Sequence, residues 1–82
     1  MGKHIVITGV SRGLGRVMTA AFIAEGHRVS GCARNGKTIK ELSNQYSIPH
    51  LFTALDITDD DSVARWSQNV LQENGVPDLL IN

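Results

Sequence analysis

Eighty-two residues, with eight basic and eight acidic side chains and 41% hydrophobic content, describe one small globular unit and not a disordered or fibrous chain. Basic residues are scattered and matched in number by acidic ones, which argues against a nucleic-acid or anionic-membrane surface. The apolar runs fall far short of the roughly 18 to 20 residues that a membrane span needs, and the start lacks the layout of a secretory signal. Met1-Gly2 is not a myristoylation signal, because position six is Val6 and not Ser or Thr. Cys32 is the only cysteine, so no internal disulfide can form and a reducing cytoplasm is the simplest setting. It sits in an apolar stretch and reads as a packed thiol.

In chain order, strand and helix signals alternate. His4 to Thr8 (HIVIT) is rich in β-branched residues, is stopped by Gly9, and reads as a short buried strand. A helical pattern begins near Gly13, with Leu14, Val17, Met18, Ala21 and Phe22 as its apolar stripe and Gly26 as its stop. His27 to Ala33 is a second strand, and Asn35-Gly36 makes a turn. Lys37 to Tyr46 carries Ile39, Leu42 and Tyr46 at helical spacing. Pro49 ends that helix, and His50 to Leu55 is a third strand. Thr58 with Asp61 suggests a capping box, reinforced by the acidic run Asp59, Asp60 and Asp61. The helix that follows presents Val63, Trp66 and Val70 on one face and ends at Gly75, with Pro77 just beyond; Asp78 to Ile81 begins a fourth strand.

This alternation implies an α/β fold: a Rossmann-like parallel sheet of four strands in the order 3-2-1-4 with three helices, an incomplete doubly wound architecture. The glycines lie where such a sheet offers its ligand crevice. A strand that turns into a helix through Gly9, Gly13 and Gly15 leaves free backbone N–H groups and the positive end of a helix dipole facing one spot, which suits a phosphate. Gly9 serves a turn at positive φ, Gly13 leaves room for a pyrophosphate, and Gly15 lets the helix press on the strand. The general G-x-G-x-x-G fingerprint is not met, since Met18 stands where its last glycine belongs; the pattern present is T-G-x-x-x-G-x-G, from Thr8 to Gly15. A glycine-rich turn that binds nothing is the plain alternative, and context decides between them.

Two further places supply that context. At the end of the second strand, an acidic residue would bind the adenosine ribose 2′-hydroxyl of NAD, whereas an arginine suits the 2′-phosphate of NADP. This chain has Arg34 followed by Asn35, and Arg12 in the glycine turn can reach the same phosphate from the other side. The cofactor expected is therefore NADP (NADPH), in preference to NAD. At the end of the third strand, Asp56 is placed to accept from the adenine amino group while the Ile57 N–H donates to the ring, although an Asp before a helix commonly caps or turns the chain.

These segments resemble the N-terminal part of a classical short-chain dehydrogenase/reductase. TGVSRGLG (Thr8 to Gly15) is similar to the family's TGxxxGxG cofactor motif, LDIT (Leu55 to Thr58) to its adenine-ring segment, and DLLIN (Asp78 to Asn82) to the strand leading into its NNAG motif. The likeness covers the whole chain. It implies that Ser11, Arg12 and Arg34 hold the 2′-phosphate region, that Leu14 offers a backbone N–H to the pyrophosphate, that Asp56 and Ile57 hold adenine, and that Asn82 lies near the adenosine ribose.

The resemblance also implies hydride transfer between NAD(P)H and a carbonyl or alcohol, by a tyrosine with a lysine four residues on, aided by a serine and an asparagine. Here the single tyrosine, Tyr46, is followed at that distance by His50, so no catalytic residue is assigned within residues 1–82. The catalytic C-terminal part is expected to lie outside them. His4, His27 and His50 have no metal-ligand spacing, and no metal is expected. Ser43, Ser47, Ser62 and Ser67 lack an evident base. Three readings stay open: the NADP(H)-binding portion of a short-chain oxidoreductase, inactive by itself; a non-catalytic nucleotide-binding module; and a vestigial structural one. The first is preferred. The partners expected are a nicotinamide dinucleotide, and either a second copy or the missing half, against the bare edge of the last strand.

Overall fold

A computed structural model of the chain describes residues 2–82. Its elements are β1 (His4–Thr8), α1 (Gly13–Ala24), β2 (Arg28–Ala33), α2 (Gly36–Gln45), β3 (Leu51–Ala54), α3 (Asp60–Asn74) and β4 (Leu79–Ile81). All neighbouring strands are parallel, and the sheet order is β3-β2-β1-β4. The expected architecture is thus present. In register, Ile5 lies beside Val29 and Leu79, and Ser30 lies beside Leu51.

Alternation along the strands divides the core into two layers. Ile5, Ile7, Val29 and Phe52 pack with Ile39 and Leu42 of α2 and with Met18, Phe22 and Ile23 of α1. On the other face, Val6 and Cys32 pack with Trp66 and Val70 of α3. Of the stripes expected for the second and third helices, Ile39, Leu42, Tyr46, Trp66 and Val70 pack in the core, while Val63 is half-buried outside both clusters.

That of the first helix is corrected. Leu14 and Val17 are 71% and 65% exposed, and Ala21 is exposed as well. The cause lies at Gly15, where a Cβ would collide with the Gly9 carbonyl oxygen. Seating residue 15 against the strand turns the next inward positions to Met18, Thr19, Phe22 and Ile23, a stripe displaced by about one residue from the expected one. Thr19 is fully buried there, and its hydroxyl donates to the Gly15 carbonyl (2.8 Å).

Two helix starts also differ from expectation. Asn35 and Gly36 do not form a free turn: Asn35 caps α2, accepting from the N–H groups of Lys37 (3.0 Å) and Thr38 (3.2 Å), and Gly36 is the first helical residue. The cap of α3 is Asp59 and not Thr58; its carboxylate accepts from the N–H groups of Asp61 (3.2 Å) and Ser62 (3.4 Å). Thr58 instead binds Asp56.

At the amino ends of the strands lies a buried polar network. His4 is fully buried, with Nδ1 3.1 Å from the Gly75 carbonyl and Nε2 2.7 Å from Ser30 Oγ. Because a carbonyl only accepts, Nδ1 carries the proton and the Ser30 hydroxyl donates to Nε2. Asn74 Nδ2 in turn donates to Ser30 Oγ (3.1 Å) and to the Pro49 carbonyl (3.0 Å). This network joins β1, β2 and the end of α3 at the opposite end of the sheet from the glycine turn.

Candidate functional site

β1 delivers the chain to its turn at Thr8, and Gly9 leaves the strand at φ +76°, a left-handed value that costs glycine nothing. The N–H groups of Gly9 (2.8 Å) and Val10 (3.2 Å) both donate to the Cys32 carbonyl, which ties the turn to β2. Val10 is fully buried and anchors it from below. Ser11 and Arg12 then lead into α1.

α1 starts from Arg12 without a side-chain cap and has no acidic residue in its first turn. α2 and α3 are both capped. The first N–H groups of α1 are therefore left without a side-chain acceptor at the positive end of the helix dipole. An anion placed there would complete their hydrogen bonding.

Beside this helix end opens a cavity of about 760 Å³. Its walls come from the carboxyl ends of the strands: Thr8 and Gly9 at the end of β1, Cys32 to Asn35 at the end of β2, Leu55 and Ile57 after β3, and Asn82 after β4. Ser11 and Arg12 close one side and Thr38 of α2 another. Arg12 and Arg34 thus border one cavity, as expected.

Of the residues singled out from the sequence, Gly9, Ser11, Arg12, Arg34, Asn35, Ile57 and Asn82 meet at this wall. Gly13, Leu14 and Gly15 do not line it. They form the first turn of α1, with the Leu14 side chain in solvent and Gly15 against Gly9. Asp56 also stands off the wall. Its Oδ1 accepts from the Thr58 N–H (2.9 Å) and hydroxyl (2.7 Å), and its Oδ2 lies 3.8 Å from Arg34 Nη2. The two Thr58 hydrogen bonds chiefly, with Arg34 adding to them, hold the exposed Asp56 carboxyl below the usual carboxylate range.

Sequence reasoning missed Thr8, Cys32, Ala33, Thr38 and Leu55 as wall residues. Thr8 carried a signal, being the first residue of the glycine motif, and its hydroxyl now donates to Asn82 Oδ1 (3.3 Å). Cys32 and Ala33 read only as strand, and their place at the wall follows from β2 lying beside β1. Burial pushes the Cys32 thiol above its ordinary value, so it is protonated at neutral pH. Among the described residues, no group of three or more His, Cys, Asp or Glu side chains gathers to hold a metal ion. No described helix is long and apolar enough to cross a membrane.

A family model described as short chain dehydrogenase matches residues 3–82. The chain belongs to this family. An NADPH-dependent pterin aldehyde reductase from Arabidopsis thaliana is 35% identical over 82 aligned positions, a match that covers 98% of this chain and 34% of that relative. Among solved structures, the L-sorbose reductase from Gluconobacter frateurii, complexed with NADPH and L-sorbose, superposes with a TM-score of 0.85 at 29% identity, over 99% of this chain and 32% of the other. The 3-ketoacyl-(acyl-carrier-protein) reductase from Brucella melitensis, complexed with NADH, superposes with a TM-score of 0.87 at 26% identity, over 96% and 33%. The short-chain dehydrogenase chain described here therefore spans about a third of the length of the relatives it matches.

Proposed function

We propose that residues 1–82 are the N-terminal part of a single dinucleotide-binding domain, and that they hold NADP(H) for an oxidoreductase acting on a carbonyl or alcohol. The observation that carries this reading is the joint placement of Arg12 and Arg34 on one cavity beside the uncapped end of α1. A diphosphate meets the α1 amides there, with Leu14 N–H among them, and Gly9 and Gly13 keep side chains out of its path. The adenosine 2′-phosphate meets Ser11, Arg12 and Arg34. Each well-made guanidinium–phosphate contact contributes about 1.5 to 3 kcal/mol, less where solvent screens it. The side-chain oxygen of Asn35 is committed to the α2 cap, which leaves its NH₂ for the ligand. Ile57 and Asp56 serve adenine, and Asn82 the adenosine ribose.

When bound, the cofactor supplies or takes a hydride. That chemistry is assigned to the longer protein, because the tyrosine in this stretch is built as core. Tyr46 packs against the hydrophobic cluster with its ring 6.2 Å from that of Phe52, and its exposed hydroxyl accepts from Gln45. By itself the chain should bind nucleotide without turning it over. A reduced Cys32 fits a cytoplasmic setting.

The same reading gives the outer edge of β4 a partner strand, from the rest of the protein or from a second copy. Among the described residues β4 pairs with β1 alone, Leu79 and Leu80 are 45% and 59% exposed, and an apolar groove of about 340 Å³ runs beside Leu80 along α3.

Calorimetry of the chain with NADPH and NADH tests the cofactor reading. NADPH should bind at least about tenfold more tightly, the equivalent of one modest charge-assisted contact. Equal affinities would remove the assignment of Arg12 and Arg34, and no heat from either nucleotide would overturn the reading altogether.

A further inference from the structure

Arg34 and Asp56 come from the ends of different strands, yet their charged groups lie 3.8 Å apart beside the cavity, with side chains 79% and 44% exposed. The carboxylate is not free to turn away. Its Oδ1 is taken by both the N–H and the hydroxyl of Thr58, which leaves Oδ2 as the oxygen facing the guanidinium.

We infer that Asp56 is an internal competitor for Arg34, fixed in that role by Thr58, and that it sets how strongly the site prefers a 2′-phosphorylated adenosine. The inference rests on the cofactor reading above and deepens it. A phosphate arriving at Arg34 must draw the guanidinium from the Asp56 carboxylate and stand near that second negative charge. A ribose hydroxyl has no such rival. Asp56 therefore moderates selectivity that Arg34 would otherwise press further. The size is bounded, since exposed ion pairs shift equilibria by no more than about fivefold.

The test measures the ratio of NADPH to NADH affinity by calorimetry on the full chain. Asp56→Asn keeps an acceptor for an adenine amino group and removes the competing charge, so the ratio should rise about three- to fivefold. In an Arg34→Gln background the same change should produce at most a small part of that rise. Thr58→Val, which removes the hydroxyl and leaves only the backbone N–H on Oδ1, should move the ratio in the same direction by less, and Thr58→Ser should restore it. Raising the ionic strength should shrink the Asp56→Asn effect, a response that a purely structural change would not give. If wild-type chain prefers NADPH and Asp56→Asn leaves the ratio unchanged, or changes it equally without Arg34, this inference is wrong and the cofactor reading stands. If wild-type chain binds neither nucleotide, both fall. Should Asp56→Asn not fold, Asp56→Ser, which also removes the charge facing Arg34, takes its place, and an unaltered ratio there decides against the inference.

Discussion

The Gly9 carbonyl oxygen occupies the place where a Cβ on residue 15 would have to stand. The obstacle is backbone at the start of a turn bound to Cys32, so no side chain can swing aside to make room. Gly15→Ala should cost about 1 to 3 kcal/mol, the range of core overpacking. In a domain of this size each kcal/mol lowers Tm by roughly 4 to 8 °C. Gly36→Ala is the control, since a Cβ there would meet only the Ala54 side chain, at 4.0 Å. Thermal unfolding of Gly15→Ala within a degree or two of wild type would show that α1 can move off β1 freely.

Acid should destabilise the fold in a window set by two histidines. Burial lowers the pKa of both His4 and His50 below their ordinary 6.5. His50 Nδ1 accepts from the Val29 N–H (3.2 Å), and His4 Nε2 accepts from Ser30, so each ring is held neutral. With folded-state pKa values below unfolded ones, the unfolded chain takes up protons first. The contribution is complete above about pH 6.5 and is lost as pH falls through the folded-state values. Asp56 and Asp59, whose folded pKa values are also lowered, add a second loss only below the ordinary carboxylate range. The urea midpoint should therefore decline between pH 7 and 5. In His50→Asn, whose side-chain oxygen can replace Nδ1 as the acceptor, the decline should be smaller. A flat midpoint across that interval would show that neither ring is constrained to be neutral.

Asp59→Ala should cost about 0.5 to 2 kcal/mol, the usual toll of losing an N-cap. Three donors lose their acceptor in this variant, the N–H groups of Asp61 and Ser62 and the Ser62 hydroxyl. Thr58→Val should cost less, because Thr58 caps nothing. Chemical denaturation of both variants checks the order, and a larger loss for Thr58→Val would return the cap to that residue.

Leu80→Lys should keep isolated chains apart. Leu80 borders the groove along α3 and is more than half exposed, so the new charge meets solvent in the monomer but would be trapped against a second copy. Sedimentation velocity should show wild-type chain associating with concentration and the variant remaining monomeric. Wild-type chain that stays monomeric at hundreds of micromolar would refute association through β4.

The strands, the sheet order and the meeting of Arg12 with Arg34 were legible because each rests on local chemistry: β-branched runs, glycines, and a residue type at a strand end. Leu14 and Val17 misled because periodicity finds an apolar stripe but not its rotation about the helix axis, which one contact at Gly15 decides. Thr58 and Asp59 are both good caps, and choosing between adjacent ones needs the path of the backbone. His4 gave no signal of its role, since Ser30, Asn74 and Gly75 are far from it in sequence and meet it only through the parallel sheet.

β4 is clasped at its entry by two reciprocal bonds, the His4 N–H to the Asp78 carboxylate and the Asp78 N–H to the His4 carbonyl, each 2.8 Å. Partners 74 positions apart hold β1 to β4. During synthesis, then, the glycine turn would leave the ribosome long before the strand that pairs with the other side of β1. Until Asp78 and the residues after it have emerged, one side of β1 stays open, and a nascent chain stalled earlier should not yet protect its leading strand from a protease.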